Sequence, residues 1–432
     1  MDKTQKGYLL LLFFISPLLG LINLFRIKEE KVIVSFGTLF FGLLGSVFVY
    51  IKGTDGNTHL MNATKFYADM SLRDFFIKAY EVLTFSSTEG STDLYLHVIS
   101  FLSSSVLQSP SLIHVFSGLV LGYFFTKSVL LLLKDNLVTK KGYVLIGFIV
   151  LFLSIRSIGA LNSIRMWTGM WVLFYGAYSY AIKKEVKYLY VIGFAIVVHF
   201  SYAIILIPVV ISYLIQKKKR LLTAVYAISF FTTLGFSVFQ DYLPKSDLLE
   251  QKQKYTVIDS NDKAKLFAKT ANNAKATIEN LNFYKAWGET NYLNYSIVGL
   301  TLLLLFFYLP RKTDANFNFL ISLGVGLYTF ANLVSFSPAL QGRAKTIAAT
   351  FILAAAIHLQ ITIKDYYLSS INKRFMKFGF VLFLIAAIPM FLFQISDIMF
   401  NISFFLFLFP QVSWFLGDND ISIRQAIGFL ID

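Results

Sequence analysis

The stretch KKEVKYLYVIGFAIVVHFSYAIILIPVVISYLIQKKKR, residues 183–220, decides how this chain folds. Lys183, Lys184 and Lys187 stand on one side of it and Lys217, Lys218, Lys219 and Arg220 on the other. Between Lys187 and Lys217 lie 29 residues without a single Asp, Glu, Lys or Arg. Basic clusters beside apolar spans face the cytoplasm. Both flanks then lie on one side, so the chain crosses the membrane and returns. Two full crossings take about 40 residues, more than are present. The spacing therefore predicts a helical hairpin at 188–216 whose turn, near His199 and Ser201, is recessed in the membrane.

The composition extends this reading to the whole chain. Of 432 residues, 56% are hydrophobic and 15% charged, against roughly 25% charged in a soluble domain. There are too few charges to cover a water-facing surface. Phe alone accounts for 46 residues and suits a lipid-facing one. Candidate spans are 8–25, 32–50, 111–133, 142–155, 164–182, 188–216, 221–239, 293–309, 317–336, 343–361 and 375–393. The expected fold is all-α, a polytopic membrane protein with roughly 11–14 transmembrane helices in a single domain over 1–432. The first span follows Lys3 and Lys6, lacks a small-residue cleavage site and precedes another span, so it reads as a retained helix. With no Cys, disulfides and thiol catalysis are excluded.

Charge placement sets sidedness. The segments 26–31, 134–141, 183–187, 217–220, 310–314 and 362–377 carry 19 Lys and Arg against 6 acids. The segments 52–93 and 240–290 carry 12 basic and 13 acidic residues. The first set is therefore cytoplasmic, and 52–93 and 240–290 are long outer-face loops. The net charge of +15 comes mostly from the inner loops and implies no nucleic-acid partner. An amphipathic helix is expected around 262–282, and 94–106 is too short to span.

The informative polar residues lie at the outer ends of spans. Arg165 follows N-S-I (Asn162–Ile164), and Arg343 and Lys345 follow S-P-A-L-Q-G (Ser337–Gly342), each read as the first turn of a descending helix. A helix N-terminus carries about half a positive charge and disfavours cations. Neither turn carries an acid. Cations there make sense if an anion binds, while the plainer role is snorkelling to lipid phosphate. Arg156 is a further candidate of the same kind. His199 at the recessed turn is either a structural tie or a catalytic or substrate-binding group, and His358 reads as structural. Asp55, in G-T-D-G-N (Gly53–Asn57), has glycine flanks that let its backbone approach a ligand. Glu89 and Asp93 close the first outer loop and would ordinarily be solvated. Asp418 and Asp420 form a D-x-D that more simply caps a helix. No Walker motif, nucleophile elbow or dinucleotide fingerprint occurs.

In their order along the chain these features resemble the EpsG/Wzy-type polysaccharide polymerases of bacterial envelopes. G-T-D-G-N resembles the family's G-x-D after the second span, with His59-Leu60 where a Tyr commonly follows. T-D-L-Y (Thr92–Tyr95) resembles its D-x-Y, N-S-I-R its N-x-x-R, V-V-H-F-S (Val197–Ser201) its H-x-S hairpin, and Q-G-R (Gln341–Arg343) its late outer Arg. The resemblance implies a multi-pass enzyme of the bacterial cytoplasmic membrane that joins oligosaccharide repeat units carried on polyprenyl diphosphate at the outer face. It implies Asp55 or His199 as the base, and Arg165, Arg343, Arg156 and Lys345 as contacts to the leaving diphosphate. Asn162, Glu89, Asp93 and Tyr95 would hold substrate, and no cofactor or metal is expected. Its partners would be the lipid-linked glycan, membrane lipid, a chain-length regulator and a flippase. Tyr67, Tyr80, Tyr284 and Trp287 could stack on sugar, though such aromatics more often only pack. The alternatives are a flippase or other secondary transporter, for which internal repeats and midplane polar sites are the usual signs, and a membrane acyltransferase with His199 as its base. No internal repeat is present.

Overall fold

The computed structural model describes residues 3–24, 27, 29–51, 54–84, 86, 91, 93–133, 142–156, 161–232, 287–309, 313–335, 337–362, 370–407, 410 and 421–431. It is all-helical, 84% helix. The described residues include no strand, only isolated bridges Phe48–Ile402 and Ser403–Ser422.

The first apolar stretch forms α1 (Lys3–Ile15) and α2 (Pro17–Leu24) rather than one span. Pro17 has no N–H to give a carbonyl four residues back and its ring crowds that turn, so the helix breaks at Ser16. After α3 (Glu30–Ser46), the segment expected on the outer face folds into α4 (Asp55–Tyr67) and α5 (Leu72–Leu83). Thr54 and Ser71 cap these two, their hydroxyls accepting from the N–H groups of Asn57 and Asp74. The short apolar segment 94–106 is α6 (Leu94–Ser100) running into a π-helical turn, Phe101–Val106. Then come α7 (Leu112–Leu133), α8 (Tyr143–Ser154) and α9 (Ile164–Lys183).

The stretch between the two basic runs breaks where the spacing placed a turn. It forms α10 (Lys187–Val198) and α11 (Tyr202–Ile215), with His199 in extended backbone at φ −155° and ψ 120°. Next is α12 (Lys219–Thr232). Residues 233–286, with the helix expected around 262–282, lie outside the described residues, as do Glu89, Tyr284, Asp418 and Asp420. A π-helix, Trp287–Ser296, leads into α13 (Ile297–Tyr308), followed by α14 (Ala315–Leu333), α15 (Pro338–Thr362), α16 (Ser370–Ala386), α17 (Ile388–Asn401) and α18 (Ile423–Ile431). Among the described residues three helices are long and apolar enough to cross a membrane: Leu112–Leu133, Ala339–Thr362, and Asn372–Asn401 through α16 and α17.

The chain divides into two compact units: 1–135, 156–202 and 394–432 form the first, 136–155 and 203–393 the second. In the first, α7 carries Gly118 and Gly122 one turn apart, and α3 lies against them. A Cβ on Gly118 would sit 2.1 Å from the Phe41 carbonyl oxygen, and one on Gly45 of α3 would sit 2.1 Å from that of His114. Small residues at such a crossing let backbones touch, which is how helices associate where lipid removes the hydrophobic drive. This contact sets the end of α3, where Phe48 stacks on His114 with ring centroids 4.3 Å apart. Phe48 in turn leaves room only for Gly at position 56, where a Cβ would lie 2.8 Å from its ring. Gly169 of α9 does the same for Tyr202, whose hydroxyl donates to the Met166 carbonyl at 2.7 Å. Tyr202 is fully buried and pins the turn that precedes it.

In the second unit, Ala-rich α15 is the central helix, with 83% of its apolar stretch buried. Gly324 of α14 lies against Ile352, and Phe148 of α8 stacks on Phe383 of α16 at 5.4 Å.

Candidate functional site

Four segments of the first unit meet around the N-terminal turn of α9. Asn162 and Ser163 precede that helix and latch onto the start of α4. The Gly56 N–H donates to Asn162 Oδ1 at 2.9 Å, and Ser163 Oγ donates to Asp55 Oδ2 at 2.8 Å. Arg165 follows in the first turn, as the sequence suggests. The acid which that turn lacks comes from Asp93, 72 residues earlier, whose Oδ2 accepts from Arg165 Nη1 at 2.5 Å.

Asp93 is the hub. It stands at the N-cap of α6, yet its side chain does not cap that helix. Instead Oδ1 accepts the Phe200 N–H at 2.8 Å, and both oxygens lie 3.2 Å from His199 Nδ1. Only 2% of the Asp93 side chain is exposed, against 13% for His199 and 26% for Arg165. Burial alone would raise the Asp93 pKa. The hydrogen bond from His199, the charge of Arg165 and the Phe200 N–H outweigh it and hold the carboxyl well below the usual carboxylate range. On its other side, His199 Nε2 lies 3.3 Å from Ser201 Oγ.

No protein-family model, no curated protein and no solved structure matches this chain.

His59, noted in the sequence only as a departure, belongs to this cluster. It lies four residues after Asp55, hence on the same face of α4. It is buried. Burial and then Arg165 lower its pKa to about 4, against opposing pulls from Asp55 and Asp93, with His199 adding to the lowering. Reading 55–67 as a capped helix rather than a loop would have revealed the pair.

The remaining candidates fall elsewhere. Arg156 is held at a positive φ of 45°, with its guanidinium 4.7 Å from the Trp167 ring centre and its carbonyl accepting from Trp171 Nε1 at 3.1 Å. Positive φ in a bulky residue stores strain. Tyr95 and Tyr67 are buried, while Tyr80 is exposed. The Tyr67 hydroxyl pairs with His97 Nδ1 at 2.9 Å.

In the second unit, the helix expected to open at Arg343 begins at Pro338. Proline is a favoured first helical residue, since its missing N–H would have no partner there anyway. Arg343 therefore sits in the second turn, with Lys345 just beyond, and the dipole argument weakens accordingly. Lys345 Nζ donates to Asn294 Oδ1 at 2.7 Å and lies 5.6 Å from the Tyr328 ring centre. Asn294 belongs to the π-helix Trp287–Ser296, a distortion often found at functional sites. His358 bonds Asp314, the N-cap of α14, at 3.0 Å, which fits a structural role. Trp287 Nε1 donates to the Ala386 carbonyl at 2.9 Å.

Proposed function

We propose that this chain is a polysaccharide polymerase of the bacterial cytoplasmic membrane, joining polyprenyl-diphosphate-linked oligosaccharide repeat units at its outer face. It would be a multi-pass protein with roughly 11–14 spans and a recessed turn at 199–201. One observation carries the reading. Four of the five segments that resemble polymerase motifs, G-T-D-G-N, T-D-L-Y, N-S-I-R and V-V-H-F-S, meet in one cluster through Asp55–Ser163, Gly56–Asn162, Asp93–Arg165 and Asp93–His199. The membrane reading is supported by large apolar side chains, Phe378, Leu382, Ile385, Ile388 and Leu392, left uncovered along α16 and α17. Such a surface is solvated by lipid and not by water.

The chemistry asks little of the protein. Polyprenyl diphosphate leaves without protonation if cations meet its developing charge. The acceptor hydroxyl needs a base. Arg165 is already matched by Asp93, so the first unit is better equipped to move a proton than to bind diphosphate. Two of the other diphosphate contacts that the resemblance implies, Arg343 and Lys345, belong to the second unit, where Lys345 is held by a neutral amide oxygen. The expected partners are the lipid-linked glycan, a chain-length regulator and a flippase.

The test uses cells carrying His199→Ala in place of the native chain, reading glycan length by gel and the sidedness of the lipid-linked unit. A polymerase leaves single units at the outer leaflet and no long polymer. Units held at the inner leaflet would make the chain a carrier, and normal long polymer would remove His199 from the reaction.

A further inference from the structure

Asp93 is too enclosed to act as a base itself. Arg165, Phe200 and His199 occupy its oxygens, and only 2% of the side chain is exposed. What it does to His199 is more specific. An ionised carboxylate only accepts hydrogen bonds, so the nitrogen it faces at 3.2 Å, Nδ1, carries the proton. In a neutral imidazole the other nitrogen, Nε2, then keeps its lone pair. Its neighbour in the turn fits that state, because Ser201 Oγ, 3.3 Å away, donates to it. At that distance the bond is weak, and a substrate hydroxyl can replace it. The turn cannot drift, since the Phe200 N–H is held by Asp93 and the Tyr202 hydroxyl by the Met166 carbonyl.

We propose that Asp93 is a positioning residue that locks His199 in its Nδ1–H tautomer and so makes Nε2 the atom that takes the proton of the acceptor sugar hydroxyl. This rests on the polymerase reading above. In the step, that proton moves to Nε2 as the hydroxyl oxygen bonds to the anomeric carbon of the donor. The bond from that carbon to the diphosphate oxygen breaks, and its electron pair leaves with the diphosphate. Asp93 stabilises the imidazolium that results and stays ionised. Arg165, donating to Oδ2, keeps Asp93 charged and fixes its rotation.

The test is a nitrogen NMR spectrum of ¹⁵N-histidine protein in lipid nanodiscs, with the His199 signal assigned by its loss in His199→Gln, run beside elongation kinetics with lipid-linked repeat units. Wild-type His199 should be Nδ1–H. In Asp93→Asn the single amide oxygen can accept from only one of Arg165 and the Phe200 N–H, and no carboxylate faces His199, so the ring should lose its Nδ1–H preference and populate Nε2–H. The kcat should fall about 100-fold or more with KM little changed, and Asp93→Glu should recover part of the loss. Wild-type His199 found as Nε2–H overturns the proposal, even if Asp93→Asn fails to fold. So does an Asp93→Asn enzyme with wild-type kcat. Wild-type protein that does not elongate glycan, with His199 still Nδ1–H, would instead count against the polymerase reading and leave the lock standing.

Discussion

Arg165 and Lys345 are both basic residues near the beginning of a helix, one in each unit, and their surroundings differ in kind. Arg165 is bound to a buried carboxylate that also holds an imidazole. Lys345 is held by a neutral amide oxygen beside an aromatic face. The first cation is half of an internal pair, and its charge organises protein. The second is held by an amide oxygen, which takes one of its three N–H donors and neutralises nothing. A cation at an apolar helix end therefore does not announce an anion site by itself. What decides is whether the fold brings it a carboxylate.

The comparison is tested most visibly by removing Arg165 and then a candidate diphosphate contact of the second unit. Arg165→Ala leaves Asp93 buried without its cation, a change that costs roughly 3–5 kcal/mol. We expect low expression or a large fall in Tm together with loss of polymer. Thermal unfolding of the purified variant checks this, and a wild-type Tm would show that Asp93 does not depend on Arg165. Arg343→Ala should behave in the opposite way, with normal expression and membrane insertion and polymer formation reduced on the order of 100-fold. Arg343→Lys should recover only part, because Lys lacks the planar two-pronged donor set that grips phosphate oxygens. Gel analysis of glycan length separates the outcomes, and full-length polymer from Arg343→Ala would take it out of the site.

The smallest effect belongs to His59 and sharpens the picture of the first cluster. Its pKa in the fold is about 4, against about 6.5 in an unfolded chain. Between those values the unfolded chain holds more protons than the folded one, so stability falls as pH drops from about 6.5 toward 4. Asp93, whose pKa is lowered, keeps its contribution through that window and loses it only below the ordinary carboxylate range. The expected result is a Tm that declines by a few degrees across the window in wild type and much less in His59→Gln. An identical slope in both would mean that His59 is not the group responsible.

Much of the fold could be read from the chain, for physical reasons. Hydropathy and the two basic runs located the break at His199, because two like-charged flanks around a stretch too short for two full spans call for a turn. The same signals missed Pro17, whose effect on a helix is steric and invisible to hydropathy, and Pro338, which starts α15 a turn earlier than the charges suggested. For the site, position in the chain pointed to Asp55, Asn162, Arg165 and His199 one at a time. Their assembly around Asp93 could not be read, since it pairs residues 72 and 106 positions apart. Such long-range pairings lie beyond anything that local periodicity or span length can show. His59 was within reach through its four-residue spacing from Asp55.

The most direct test of the whole account is elongation by purified protein in lipid vesicles supplied only with polyprenyl-diphosphate-linked repeat units, with a metal chelator present and no nucleotide sugar. The account predicts a ladder of glycans on lipid that grows with time and is lost in His199→Ala. A wild-type protein that leaves every unit single, and merely moves it from one leaflet to the other, would contradict it.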